Sequence, residues 1–129
     1  MQENDRVMAD SIGLMGASMG ASMAVAGNGS EVVRSSVSLS PANLHIHSMH
    51  PGVPLKSIFY LVGDQDIVDT GDGVIDFPAE AASLFELTED PKKMMVLKNN
   101  PAHGTELLEA TGVKEAILDW FKQELPVLH

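Results

Sequence analysis

Gly16-Ala17-Ser18-Met19-Gly20 follows directly on an apolar, strand-like run, Ile12-Gly13-Leu14-Met15, and opens a helix of small residues. A serine flanked two residues away on each side by glycine, at a strand-to-helix turn, restricts the fold more than any other feature of this chain. Such a turn is sharp and strained. Strand and helix pass one another closely, and only small residues around the serine permit that approach. A strand feeding straight into a helix is also the start of a parallel crossover, which points to a parallel sheet with helices on its faces.

The rest of the chain continues the alternation. Ser11–Met15 reads as a short buried strand and Met19–Ala26 as a helix stopped by Gly27-Asn28-Gly29. Val32–Leu39 is a β-branched strand ending at Ser40-Pro41, and a loop rich in His, Pro and Gly runs from Ala42 to Pro54. Ser57–Val62 is the clearest strand, closed by Gly63-Asp64. A polar Gly/Asp loop leads to a helix over Pro78–Leu87, with Ala81, Leu84, Phe85 and Leu87 expected inward, and then to a short strand, Lys93–Leu97. Val113–Leu125 is an amphipathic helix in which Val113, Ala116, Ile117, Trp120, Phe121 and Leu125 share one face. The expectation is one α/β domain over residues 1–129, built on a mostly parallel four-stranded sheet flanked by helices.

Charge and composition exclude several classes. A net charge of −10 argues against nucleic acid or an anionic membrane as partner. The absence of cysteine removes disulfides, thiolate zinc sites and a Cys nucleophile. No stretch approaches a transmembrane span, and the opening Met1-Gln2-Glu3-Asn4-Asp5-Arg6 lacks the basic-then-apolar pattern of a signal peptide, so a cytoplasmic location is expected.

Ser18, at a helix N-terminus, is placed as a nucleophile whose developing oxyanion would meet free backbone N–H groups. An orienting acid belongs in the loop just past a buried strand, where Asp64 and Asp66 compete and Asp66 is favoured. His103, in Ala102-His103-Gly104-Thr105, lies in a loop beyond the fourth strand, from which a general base reaches a serine on a neighbouring strand. Each signal alone has a plainer reading, as a turn glycine, a turn-capping Asp or a solvated loop His. Their order gives them weight.

These segments resemble the α/β-hydrolases. Ile12–Ala21 looks like the fifth strand and nucleophile elbow of that family, and Val37-Ser38-Leu39-Ser40-Pro41 resembles its sixth strand. Phe59–Asp66 resembles the seventh strand with its G-x-x-D acid, Ala102–Leu108 the histidine loop, and Leu118-Asp119-Trp120-Phe121 the last helix. The resemblance covers nearly the whole chain. It implies Ser18 as nucleophile, Asp66 as acid and His103 as base, with the Met19 N–H in the oxyanion hole and Met23 beside Met19 in an acyl pocket. Dienelactone hydrolases with a Cys nucleophile share the layout, but a serine stands at the elbow here.

The implied function is that of a serine hydrolase cleaving small carboxylic esters. It needs no metal or organic cofactor, and thioesterase and peptidase chemistry lie close by. The resemblance also implies a half-size fold, because family members carry four further strands ahead of the elbow, one of which leads to the second oxyanion donor. Ser11–Met15 would then be a bare apolar sheet edge, and pairing of two copies through it, as a homodimer or larger homo-oligomer, is the expected repair. A non-catalytic interaction module, or a chain completed by a separate partner, is the alternative.

Two further motifs carry less. His45-Ile46-His47-Ser48-Met49-His50 has ligand-like H-x-H spacing without a fourth ligand, and is read as a loop. Asp69–Phe77 mimics part of a calcium loop, but Val68 and Ala79 fall where carboxylates are needed, so a turn and a capped helix are expected. Met15, Met19, Met23, Met49, Met94 and Met95 are read mainly as core residues.

Overall fold

The computed structural model describes residues 12–28, 33–42 and 55–125. Strand β1 (Ile12–Ala17) leads through Ser18 into helix α1 (Met19–Gly27), followed by β2 (Val33–Leu39) and β3 (Leu55–Gly63). A hairpin, β4 (Ile67–Asp69) and β5 (Val74–Asp76), precedes helix α2 (Phe77–Leu87). Strand β6 (Thr88–Leu97), a 3₁₀ turn (Gly104–Glu109) and helix α3 (Val113–Glu124) complete the described elements. The main sheet has the order β1-β2-β3-β6 with every pairing parallel. No described helix is long and apolar enough to cross a membrane.

Strand alternation divides the core between the two faces of the sheet. Val37, Leu39, Phe59 and Leu61 pack on one side against Leu107, Val113, Ile117 and Trp120, which come from the 3₁₀ turn and α3. Ile58 and Tyr60 pack on the other side against Val25 of α1 and Leu84 of α2. On this second face β2 offers buried serines in place of large apolar groups. Ser36 Oγ donates to Ala24 C=O at 3.0 Å and Ser38 Oγ to Ala21 C=O at 2.9 Å. Small side chains on both partners let α1 lie close to the strand, and the hydroxyls remain satisfied although buried. Helix α3 is fixed from the opposite side, where Trp120 Nε1 donates to Ser35 Oγ at 2.8 Å and Glu124 Oε1 accepts from Ser57 Oγ at 2.7 Å.

Several elements depart from the sequence expectation. Strand β6 begins at Thr88, five residues before Lys93, because Glu89-Asp90-Pro91-Lys92 conceal an edge strand whose charges need not be buried. The Gly/Asp stretch expected to be a loop contains the β4–β5 hairpin, with Ile67 paired to Asp76 and Asp69 to Val74. Asp76 caps α2 by accepting from the Ala79 N–H at 3.1 Å. Leu87 is exposed instead of inward, whereas Ala81 and Leu84 are buried. Met15 is 46% exposed, against the expectation of core packing, because no described element covers β1 on its outer side. The His45, His47 and His50 motif and Met49 lie outside the described residues.

Candidate active site

Ser18 occupies the corner between β1 and α1 with φ 57° and ψ −117°, a conformation that a residue with a side chain adopts only under constraint. Strain of this kind costs on the order of 1–3 kcal/mol and is held in place by its surroundings. Here the Ser18 N–H donates to Leu39 C=O at 2.9 Å, while its own carbonyl accepts from Ala21 and Ser22 at 3.0 and 3.3 Å. The two flanking glycines are not equivalent. A Cβ on Gly16 would stand 2.1 Å from the Gly20 carbonyl oxygen, so Gly16 must lack a side chain. A Cβ on Gly20 would meet nothing within 4 Å, contrary to the expectation that both glycines are sterically required. Close approach is made by the Cα of one residue to the backbone of the other, and one glycine suffices.

The structure brings three of the candidate side chains together. His103 Nε2 lies 2.8 Å from Ser18 Oγ, and His103 Nδ1 lies 2.7 Å from Asp66 Oδ2. The tautomer carrying its proton on Nδ1 satisfies both contacts, donating to the carboxylate and accepting from the serine hydroxyl. Asp66 is 2% exposed, whereas the His103 side chain is 31% exposed, so the chain of contacts runs from a buried anion to an accessible hydroxyl. Asp64, the competing carboxylate, is directed elsewhere. Its Oδ1 accepts from the Asn100 N–H at 3.0 Å. The amides of Asn100 and Asn99 hold this surface carboxyl below the usual carboxylate range.

Met19 is the first residue of α1, and its N–H is among the amides a helix leaves without an internal acceptor. It sits beside Ser18, where an oxyanion formed at that residue would develop. Met23 lies further along α1 with its side chain exposed.

Supporting residues escaped the sequence reading. Ser40, at the end of β2 with φ 59°, accepts from the Gly104 N–H at 2.9 Å in a buried setting, and its own N–H donates to Leu61 C=O at 2.8 Å. Glu106 Oε1 accepts from the His103 N–H at 3.0 Å. Gly104, at φ 62°, brings this loop against Ala17 and Ser18. Phe77 packs on the His103 imidazole with ring centroids 4.6 Å apart. The His103-x-x-Glu106 spacing of a capping box was a local signal for Glu106. No local pattern announces Ser40 or Phe77, whose contacts span 64 and 26 residues.

No protein-family model matches the sequence, and no curated protein matches it. Among solved structures, the chain is similar to the crystal structure of a dienelactone hydrolase from Anabaena variabilis ATCC 29413, with 22% identity and a TM-score of 0.65. The superposition covers 90% of this chain and 50% of that one, so the chain spans about half the length of the structure it matches. At this identity the likeness is one of fold, and over that half the chain shares the parallel α/β architecture of the structure it matches.

Proposed function

We propose that this chain is a serine hydrolase acting on small carboxylic esters, with Ser18 as nucleophile, His103 as general base and Asp66 as the orienting acid. The observation that carries the reading is the continuous line of contacts from Asp66 Oδ2 through His103 to Ser18 Oγ. Ser18 Oγ attacks the ester carbonyl carbon while His103 Nε2 takes its proton. Asp66 holds the Nδ1–H tautomer and stabilises the imidazolium. The tetrahedral oxyanion accepts from the Met19 N–H, and its collapse expels the alcohol, which leaves with the proton from His103. Water, deprotonated by His103, then attacks the acyl carbonyl carbon, and collapse of this second intermediate breaks the bond to Ser18 Oγ, which takes the proton back from His103 as the acid leaves. The similar structure bears the name of a hydrolase of a lactone, an internal ester, which is in keeping with this bond type.

Removal of one oxyanion donor costs on the order of 100-fold or more in rate, so a second donor beside Met19 matters to turnover. We propose that the open edge of β1 is covered by a second copy of the chain, which also completes the pocket around Ser18.

The test is covalent labelling with a fluorophosphonate, read by intact mass. A single adduct on the native chain that Ser18→Ala abolishes is the expected result. A folded, soluble sample that forms no adduct overturns the stand-alone hydrolase and leaves a non-catalytic interaction module or a chain that needs a separate partner.

A further inference from the structure

The hydrogen bond from His103 to Asp66 fixes one ring atom of the imidazole and leaves one motion open. With Cβ attached to the backbone and Nδ1 held by the carboxylate, the ring can still hinge about the line joining those points. That hinge swings Nε2 out of line with Ser18 Oγ. The Nε2–Ser18 Oγ contact opposes it while the serine keeps its hydroxyl, and packing against the ring opposes it throughout. The Phe77 ring supplies that packing, with its centroid 4.6 Å from that of the imidazole and the two planes tilted by 57°. Phe77 is itself immobilised by packing among Ala42, Val62 and Ala81.

The acid and the aromatic ring are also tied to each other. The Phe77 N–H donates to the Asp66 carbonyl at 3.1 Å and closes the base of the β4–β5 hairpin. Asp66 immediately precedes β4, and Phe77 immediately follows β5 as the first residue of α2. The carboxylate that holds Nδ1 and the ring packed against the imidazole are thus the two feet of a single hairpin. Asp76, paired with Ile67 across the hairpin, caps α2 and sets the direction in which that helix leaves Phe77.

We propose that Phe77 is a positioning residue for His103, and that the hairpin between Asp66 and Phe77 is the clamp that holds the imidazole in line with Ser18. The role assigned to the clamp rests on the serine hydrolase reading above.

The test compares the native chain with Phe77→Leu, which keeps apolar bulk and removes the aromatic face. Two quantities are read: the fluorophosphonate labelling rate, and the low-field proton resonance of His103 Nδ1–H, assigned by its loss in His103→Gln. Phe77→Leu is expected to unfold cooperatively and to label about 10- to 100-fold more slowly, as a misplaced catalytic group does. Its Nδ1–H resonance is expected to broaden through faster exchange with water. Should the leucine variant lack a cooperative transition, Phe77→Met, which fills irregular space with an unbranched chain, is judged by the same two criteria. Native labelling rate and an unchanged resonance in a folded variant overturn the proposal. If the native chain itself does not label, the stand-alone hydrolase reading fails and the resonance alone decides. An unchanged signal then overturns the clamp, and a broadened one upholds it as a constraint on His103.

Discussion

Gly16 and Gly20 look alike in the sequence and differ in the structure, which makes them a direct test of the elbow. Gly16→Ala forces a Cβ into the Gly20 carbonyl and is expected to destabilise the fold by about 1–3 kcal/mol, as overpacking does, with loss of labelling at Ser18. Gly20→Ala enters open space inside a helix and is expected to leave stability unchanged or raise it by up to about 1 kcal/mol. Urea denaturation of both variants decides the point. The two candidate acids separate in the same way. Asp66→Asn leaves His103 with the wrong tautomer and is expected to lower the hydrolysis rate by about 10⁴-fold. Asp64→Asn is expected to keep most of the activity and to lose stability. The Asp64 carboxyl titrates lower in the folded chain than in the unfolded one, so its contribution is present above the free value of about 3.9 and lost as pH falls through the folded one. The stability difference between native and Asp64→Asn is therefore expected to shrink below about pH 4, followed by denaturation across an acid series.

The C-terminal end of β2 joins the two halves of the site at the level of elements. Leu39 C=O accepts from Ser18, and Ser40 Oγ accepts from Gly104, so consecutive residues hold the serine turn and the histidine loop. Ser40→Ala leaves the Gly104 N–H buried without its acceptor and is expected to cost about 1–3 kcal/mol, with slower labelling because His103 is carried on the same loop. The packing of α2 against β3 has a separate spectroscopic reporter. Tyr60, the one tyrosine of the chain, donates to Thr88 Oγ1, which in turn donates to Leu84 C=O. Burial pushes its hydroxyl up to about 12. The fold favours the neutral phenol, so the associated stability is complete below the free value of about 10 and is lost as pH rises towards 12. An absorbance titration is expected to show no tyrosinate in the native chain near pH 10.5, and tyrosinate in urea at the same pH.

Across the whole molecule, the two edges of the main sheet differ in kind. Strand β6 carries Glu89, Asp90, Pro91, Lys92 and Lys93, the residues that discourage further strand pairing. Strand β1, Ile12-Gly13-Leu14-Met15-Gly16-Ala17, has no charge and no proline, and Met15 is exposed beside it. One edge is guarded and the other is suited to being covered. We expect sedimentation equilibrium to give a dimer or larger species, and Met15→Lys to shift it towards the monomer. A native monomer at every concentration would remove the self-pairing proposal without touching the contacts among Ser18, His103 and Asp66.

What the sequence determined by itself is whatever short-range chemistry encodes. The serine turn follows from glycine beside an apolar run, β3 from Ile58-Phe59-Tyr60-Leu61-Val62, and α3 from apolar residues at helical spacing. Together they imply the parallel sheet that the structure has. The long β6 and the β4–β5 hairpin were hidden because edge charges and Gly/Asp pairs have the composition of a loop when partners are unknown. The G-x-x-D spacing already favoured Asp66 over Asp64, and the turn after β3 carried that preference out by directing Asp66 to His103 and Asp64 to the Asn100 N–H. Tertiary structure alone decided the supporting contacts. It alone set Ser40 beneath Gly104 and Phe77 against the imidazole, since those contacts come from folding distant segments together and leave no periodic trace in the chain.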